Sequence, residues 1–281
     1  MKFKKWYFIL SLLFIFVFVS GCSGKASPTP SGDNQSPGKS VNDPALPAGY
    51  VILDRQTGDI TGDGKPKDIL LVGRKPDANS NYAEDLSIIA REGTSQNAVT
   101  VKLPNVGGYN NTLFVGDFSG DKVNDVLVTS PTGGSGGIIE HRIVTFVGEP
   151  KIIFGAEENK GIVATGRFIN GFRFELTEKT TKRSMNVDLS NKKDTYTKAG
   201  IYDGSGTLLR EQNVSVNPLG VLTPIDIEHD GIYELRGTQR ATGIANADTV
   251  AYIYSIWKYE NQKWMAKQIE IASMLLGYGE K

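Results

Sequence analysis

The residues that could do chemistry are concentrated in a short acidic loop that occurs three times along the chain. In the middle copy, side-chain oxygens fall at positions 1, 3, 5 and 9, and an apolar run typical of a β-strand follows. Calcium prefers roughly six to eight oxygen ligands, and a tight loop supplies them from alternate residues and from a main-chain carbonyl at position 7. The middle loop offers this ligand set: Asp117, Ser119, Asp121, Val123 and Asp125.

The two other acidic loops repeat this order of residues. The last loop offers Asp226, Glu228, Asp230, Ile232 and Glu234. The first loop offers Asp59, Thr61 and Asp63, but Lys67 stands at position 9, so this loop can hold an ion only if it bulges. We expect calcium as the cofactor, with a Kd on the order of 10⁻⁴ to 10⁻³ M. The alternative is that Asp, Asn and Gly simply form tight turns.

The spacing of the acidic loops indicates a repeat. Their first aspartates, Asp59, Asp117 and Asp226, are 58 and then 109 residues apart, and the second interval is close to twice the first. A disguised copy fills the gap at residues 165–179, where Arg167 stands in place of the first aspartate. This copy keeps the hairpin pattern and has lost the ion ligands. Self-similarity at about 50 to 60 residues is typical of solenoids, propellers and arrays.

Short β-type runs bounded by Gly, Asn, Asp and Pro fill each unit, which favours an all-β fold. The second unit has such runs at residues 112–116, 125–129, 138–147 and 151–154. The fourth unit has them at residues 221–227, 233–238, 250–259 and 263–271. Four strands per unit is the content of a propeller blade. We therefore predict, over residues 47–281, a small β-propeller of about four blades, each of four antiparallel strands.

The N-terminus has the pattern of an export signal. Lysines precede the apolar run at residues 6–19, and the chain's only cysteine, Cys22, follows at the cleavage position. This end resembles the lipobox of bacterial lipoproteins, which implies that residues 1–21 are removed and that Cys22 carries a diacylglycerol. The alternative is an ordinary cleaved signal with a stray cysteine. Residues 22–46 hold the lipidated cysteine and a Pro-, Ser- and Gly-rich stretch typical of a disordered tether.

These features predict an exported protein that is anchored to a membrane, its expected partner, by the lipid on Cys22. We expect it on the outer face of the bacterial cytoplasmic membrane, or on the outer membrane of a two-membrane cell. The formal net charge is +0, with 31 basic and 31 acidic residues, so the composition gives no reason to expect a nucleic-acid partner. A single cysteine leaves no intramolecular disulfide to stabilise the domain.

The three acidic loops, each preceding an apolar strand, resemble the FG-GAP or VCBS repeats of integrin-α-type propellers and of many bacterial surface proteins. The resemblance covers roughly residues 47–281. It implies a ring of blades in which calcium sits in the loop between the first and second strands of a blade. The ligands it implies are the loop residues named above, with Lys67 as a departure from the pattern.

If the acidic loops close one end of the hairpins, the segments at the opposite end could bind a ligand. They are rich in Asn, Tyr, Gly and Ser, which offer hydrogen bonds and stacking surfaces on loops held by a rigid scaffold. The alternative is solvated hairpin ends. The candidate residues are Asn79, Tyr82, Tyr109, Asn110, Asn111, Ser135 and Arg240.

Enzymatic interpretations have less support, and we assign no catalytic residue. Residues 133–137 read G-x-S-x-G around Ser135, with His141 nearby, but a nucleophile elbow needs a helix after the turn and a strand pattern follows here. A carboxylate pair such as Glu140 with Asp85 could hydrolyse a glycan. The sequence thus favours a non-catalytic binding, adhesion or structural module at the cell surface, with an extracellular polysaccharide or protein ligand. The alternatives are a polysaccharide-acting hydrolase or lyase and an assembly factor for the envelope.

Overall fold

The computed structural model describes residues 46, 49–93 and 97–273 of the 281-residue chain. The predicted signal at residues 1–21, the lipidation site at Cys22 and the tether up to residue 45 lie outside the described residues. Within the described residues, no helix is long and apolar enough to cross a membrane. The regular structure of the described residues is mainly antiparallel β-strand, which confirms the all-β prediction.

The first sheet has the strand order β1-β2-β3-β4, and β5 also pairs with β3. The centre of β2, residues 69–72, is a continuous apolar run that is buried on both faces, as such runs commonly are. Leu71 faces one hydrophobic cluster, whereas Leu70 and Val72 face another. The strands are β1 (Tyr50–Gly58), β2 (Lys67–Arg74), β3 (Tyr82–Arg91), β4 (Ala98–Lys102) and β5 (Gly108–Tyr109).

The second sheet is a four-stranded meander in the order β6-β7-β8-β9. Its strands match the four predicted runs of the second unit closely. They are β6 (Thr112–Gly116), β7 (Asp125–Pro131), β8 (Ile139–Thr145) and β9 (Lys151–Phe154). A hydrophobic core that includes Leu71, Ile88 and Val128 packs this sheet against the first.

The third sheet contains the strands of the third and fourth units together, in the order β12-β11-β10-β13-β15-β16-β17, with β14 also paired to β15. The strands of the third unit are β10 (Ala164–Ile169), β11 (Arg173–Glu178), β12 (Ser184–Asp188) and β13 (Asn213–Val216). Those of the fourth are β14 (Val221–Ile225), β15 (Glu234–Thr242), β16 (Thr249–Glu260) and β17 (Lys263–Ala272). The helices are α1 (Ala156–Asn159), a 3-10 helix (Ser190–Lys192) and α2 (Lys193–Lys198).

The prediction of about four separate blades is therefore only partly right. The described residues form three sheets, of five, four and eight strands, and show no closed ring. The reason lies between β12 and β13, where α2 replaces a strand and buries Tyr196 against Phe168, with ring centroids 5.2 Å apart. β13 then pairs with β10 on one side and β15 on the other, which merges the two units.

Two buried amide side chains hold the connection at residues 159–162, which links the second sheet to the third, against a strand of each sheet. Asn159, at the end of α1, accepts a hydrogen bond from the His141 N–H (3.1 Å) and donates one to the Ile139 carbonyl (2.9 Å). Gln239 on β15 accepts from the Ile162 N–H (2.6 Å) and donates to the Asn217 carbonyl (2.9 Å). Because buried main-chain groups need partners, these amides fix the relative position of the two sheets.

Candidate functional site

The three acidic loops lie in a row at one end of the sheets. They connect β1 to β2, β6 to β7 and β14 to β15. The Asp59 carbonyl accepts hydrogen bonds from the main-chain N–H (3.3 Å) and side-chain Nδ2 (3.1 Å) of Asn124. The Asp117 carbonyl accepts one from the Tyr233 N–H (2.7 Å). Counted from the first aspartate of each loop, both contacts join position 1 of one loop to position 8 of the next.

Side-chain packing repeats the same relationship. Gly62 and Gly120, both at position 4, have φ of +76° and +77°, a region that favours glycine. A Cβ on Gly62 would lie 3.0 Å from Val123, and a Cβ on Gly120 would lie 3.5 Å from Ile232, so position 7 of each following loop packs there. In the first loop Pro66 stands at position 8 and has no N–H to donate, so that loop can only begin the row.

The predicted calcium ligands at positions 1 and 5 mostly accept hydrogen bonds from the main chain of their own loops. Asp117 accepts from Gly120 (2.7 Å) and Lys122 (2.8 Å), and Asp121 accepts from Val123 (2.9 Å). The other two loops repeat this arrangement at Asp59, Asp63, Asp226 and Asp230. Over the residues that the structure describes, no group of three or more His, Cys, Asp or Glu residues is gathered closely enough to hold a metal ion.

Lysines provide a positive charge to the first and last loops. Lys67, at position 9 of the first loop, lies 2.6 Å from the Asp63 carboxylate, and this hydrogen bond is the main reason that the pKa of Asp63 falls to about 2. In the last loop, Lys258 lies 2.8 Å from Glu228 and 3.3 Å from Glu234. The hydrogen bond to Glu228 is the main cause that raises the pKa of Lys258.

The middle loop differs from the other two loops in the hydrogen bonding of its buried carboxyl group. Asp125 is fully buried, and its Oδ2 accepts hydrogen bonds from the N–H groups of Phe118 (3.0 Å) and Ser119 (2.9 Å). Among the residues that the structure describes, its Oδ1 has no hydrogen-bond partner. The Ser119 Oγ is also buried, and no hydrogen-bond partner for it lies within the described part of the chain. Burial raises the pKa of Asp125 to about 6, although the Phe118 and Ser119 N–H groups and nearby hydroxyls lower it. The middle loop therefore presents two buried oxygens with unused capacity for a proton or a cation.

The opposite end of the sheets brings together several of the predicted ligand residues. Tyr82 on β3 pairs with Tyr109 on β5, and the two rings meet edge to face with centroids 5.1 Å apart. Arg240 on β15 donates from Nη1 to the Ser135 carbonyl (3.0 Å), and it also bonds Thr249 (2.8 Å). Residues from all three sheets thus meet here, as the position of the acidic loops predicts.

The three predicted asparagines differ in exposure. Asn111 is buried, its Nδ2 donates to the Gly108 carbonyl (2.8 Å), and its Oδ1 accepts from the Ser130 hydroxyl (2.6 Å). Both ends of this amide are engaged within the protein. Asn79 and Asn110 are exposed, the former in a turn where its N–H donates to Asp77 (2.9 Å). These two asparagines remain accessible to a ligand.

A polar cleft of about 600 Å³ opens at this end, between the first and second sheets. Asp85 and Glu140, the carboxylate pair considered from the sequence, both line it. Arg74 binds Asp85 (2.8 Å) and Glu84 (2.9 Å), while the buried Arg142 binds Glu140 (2.8 Å). The cleft is also lined by Tyr50, Tyr82, Lys102 and Thr132.

The G-x-S-x-G stretch forms a hairpin connection. Ser135 lies between β7 and β8, and the Thr132 N–H donates to the Ile138 carbonyl (3.1 Å) to close the loop. A strand, β8, follows Ser135 where a nucleophile elbow would need a helix. His141 lies buried within that strand, with its Nδ1 3.2 Å from the Thr129 hydroxyl, and burial lowers its pKa to about 3.

The sequence interpretation missed the ion pairs that Lys258 and Arg142 form with carboxylates at the two ends of the sheets. Lys258 is remote in sequence from the last loop, and its pairing depends on the register of β15 against β16. Arg142 is two residues from Glu140 on β8, a spacing that places both side chains on one face of a strand. That spacing was the available signal for this ion pair.

These sheets and this cleft define an all-β protein of antiparallel meanders with a polar cleft at one end. The family model described as the YybI C-terminal domain matches residues 162–272. The chain is also 32% identical over 217 residues to "Uncharacterized protein YybI" of Bacillus subtilis (strain 168), an alignment that covers 76% of this chain and 82% of that relative. The chain therefore belongs to the YybI family.

This membership corrects the resemblance drawn from the acidic loops. No FG-GAP or VCBS repeat model matches the chain, so the predicted membership in that group is wrong. The physical reason is that an Asp-rich loop before an apolar strand is also what a tight β-hairpin requires. Most carboxylates of these loops do form such turns, as the hydrogen bonds of Asp59, Asp117 and Asp226 show.

Proposed function

We propose that this protein is a lipid-anchored, exported binding module that holds a polar envelope ligand at the end of the sheets opposite the acidic loops. One chain of contacts carries the proposal: the Tyr82 ring packs on Tyr109, the Tyr109 ring lies against Gly133, and Arg240 donates to the Ser135 carbonyl in the same connection as Gly133. These contacts link residues of all three sheets beside the polar cleft. Tyr82 and Tyr109 lie at strand ends, Arg240 lies near the end of β15, and Ser135 lies in the connection between β7 and β8, so the sheets position all four residues. The anchor itself rests on the sequence around Cys22.

A binding experiment on the full-length chain in detergent tests this proposal. Immobilised envelope polysaccharide should retain the wild-type chain, and Tyr82→Ala or Tyr109→Ala should reduce retention at least about tenfold, because an aromatic anchor is worth about 1.4 kcal/mol or more. Val147→Ala is the control, since Val147 is 41% exposed against 44% for Tyr109. The proposal is wrong if the wild type and all variants are retained equally, or if the wild type is not retained.

We also propose that calcium binds the middle acidic loop. The support is the contrast among the loops: lysines pair with carboxylates of the first and last, whereas Asp125 and Ser119 retain buried, unpartnered oxygens. With about 1 mM free calcium and the affinity expected above, one site would add about 0.4 to 1.4 kcal/mol to the free energy of unfolding.

Thermal melts in calcium and in chelator test the metal proposal. The wild-type chain should melt at a higher temperature in calcium, and Asp125→Asn should abolish the difference. Asp63→Asn in the first loop should preserve it, because Lys67 already pairs with that carboxylate. The proposal fails if calcium leaves the wild-type melting temperature unchanged.

A second candidate function, glycan hydrolysis, is favoured by one observation: Asp85 and Glu140 line the same cleft. Each carboxylate is held in an ion pair with arginine, which suits a fixed hydrogen-bond acceptor better than a group that must deliver a proton. Release of reducing ends from envelope polysaccharide, lost in Glu140→Gln, would establish hydrolysis. Binding without any release of reducing ends favours the non-catalytic module.

A further inference from the structure

We propose that the cleft between the first and second sheets binds an uncharged oligosaccharide. This inference rests on the proposed function, because it assigns a ligand class to the same end of the sheets. A cavity of about 600 Å³ is within the usual size range of small-ligand sites. It has aromatic, hydroxyl and carboxylate groups on its lining, so it offers stacking surfaces together with hydrogen-bonding groups.

The charges around the cleft balance. Glu84, Asp85 and Glu140 contribute three negative charges, and they are matched by one lysine of the lining and two arginines, Lys102, Arg74 and Arg142. Two of the carboxylates share Arg74, and the third pairs with Arg142. A site without net charge gives no electrostatic preference for a cationic or an anionic ligand.

The ion pairs hold the carboxylates as fixed acceptors. Arg142 is only 3% exposed, and it binds both the Glu140 carboxylate (2.8 Å) and the His141 carbonyl (2.7 Å). Each ionised carboxylate has about four lone-pair sites, so an arginine contact leaves capacity for ligand hydroxyl groups. Fixed acceptors lose little conformational entropy when a sugar hydroxyl donates to them.

Aromatic side chains complete the site. Tyr50 and Tyr82 both line the cleft, and the ring of Tyr82 is held by its edge-to-face contact with Tyr109. A tyrosine ring has an apolar face for the C–H groups of a sugar and a hydroxyl for its polar edge. An oligosaccharide without charged groups matches this combination of stacking surfaces, fixed acceptors and zero net charge.

Titration calorimetry of the full-length chain in detergent tests the ligand class. The neutral probes are oligomers of glucose, N-acetylglucosamine, mannose and galactose, and the charged probes are oligomers of glucosamine and galacturonate. We expect at least one neutral oligomer to bind, with a Kd that changes less than about twofold between about 50 and about 500 mM salt. No charged oligomer should bind more tightly.

Two variants locate the binding. Asp85→Asn changes a residue whose carboxylate is 56% exposed, so the fold should tolerate it, and Tyr82→Ala removes the aromatic surface. Each should weaken the neutral oligomer at least about tenfold. Glu92→Gln is the matched control, because Glu92 lines a different cleft next to the first acidic loop. Unchanged affinity in both cleft variants would overturn the assignment.

The outcomes separate this inference from the proposed function. If charged oligomers bind more tightly and lose affinity in salt, the ligand class is wrong while a binding module remains. If the envelope polysaccharide is retained through Tyr82 and no neutral oligomer binds, the ligand class is again wrong. If neither the polysaccharide nor any oligomer binds, both the inference and the proposed function fail.

Discussion

The main-chain carbonyl of Asp117 accepts a 2.7 Å hydrogen bond from the N–H of Tyr233, and the carbonyl of Asp59 has the same relationship with Asn124. The contact joins position 1 of one acidic loop to position 8 of the next, so three hairpins from three sheets are fixed side by side. Because the sheets are fixed at this end, the connections at their other ends are also brought together. The contacts between the acidic loops therefore help to position the proposed binding surface at the opposite end of the sheets.

The contact between the first and second loops predicts the effect of Asn124→Ala. This change removes the Nδ2 donor to the Asp59 carbonyl and keeps the main-chain N–H. We expect the free energy of unfolding to fall by about 0.5–1.5 kcal/mol. Urea denaturation measures it, with Asn79→Ala in an exposed turn as the control. Equal losses in the two variants would show that the contact contributes nothing.

The approach of the second and third sheets predicts the effect of Gly220→Ala. A Cβ on Gly220 would lie 2.5 Å from the Gly137 carbonyl oxygen, so main chain must shift to admit it. We expect a loss of about 1–3 kcal/mol in the free energy of unfolding. Gly204→Ala is the matched control, because nothing lies within 4 Å of its Cβ position. A neutral Gly220→Ala variant would contradict the described approach of these sheets.

The buried amide of Gln239 predicts the effect of Gln239→Glu. The substitution removes the Nε2 donor of Gln239, which now donates to the carbonyls of Lys160 (3.0 Å), Ile162 (3.1 Å) and Asn217 (2.9 Å). We expect a loss of about 3 kcal/mol, because buried carbonyls would be left without donors. Chemical denaturation checks this against Gln56→Glu, an exposed position. If Gln239→Glu were as stable as the wild type, the hydrogen bonds donated by Gln239 would contribute nothing to the free energy of unfolding.

The buried carboxyl of Asp125 predicts a pH dependence of stability. Its pKa in the folded protein is about 6, above the ordinary value of 3.8. Between about pH 4 and 6 the folded state keeps a proton that the unfolded chain has released, so the free energy of unfolding falls as pH rises through this window. Burial lowers the pKa of His141 to about 3. The contribution of His141 to the free energy of unfolding therefore rises with pH up to about pH 6.5.

Comparison with Asp125→Asn isolates the carboxyl, because both proteins retain His141. In chelator, the stability of the wild type relative to the variant should decline by roughly 2–3 kcal/mol from pH 4 to pH 7. Calcium should reduce this decline if it binds the ionised carboxylate. Parallel pH profiles of the two proteins in chelator would contradict the raised pKa.

The sequence predicted much of the strand content. The runs at residues 112–116 and 151–154 coincide with β6 and β9, because β-branched and aromatic residues with flanking turn residues define these strands locally. β13 could not be predicted in the same way. It has four residues, and it pairs with β10 and β15, which are both separated from it in the sequence by other elements.

The candidate site was predictable only in outline. Hairpin geometry fixes which connections share an end, so Tyr82, Tyr109, Ser135 and Arg240 lie at the end opposite the acidic loops. Their part in binding a ligand stays a prediction. The row of loops was not predictable, since contacts between positions 1 and 8 of different hairpins leave no local pattern. The ion pair of Lys258 with the last loop likewise depends on the register between strands.

Hydrogen exchange of main-chain amides, with and without envelope polysaccharide on the full-length chain, tests the central claim most directly. Binding at the polar end should slow exchange in residues 82–87, 102–109 and 132–140. It should leave the acidic loops at residues 59–64, 117–124 and 226–233 unchanged. Protection confined to the acidic loops, or no protection while the polysaccharide is bound, would contradict a binding surface at the opposite end.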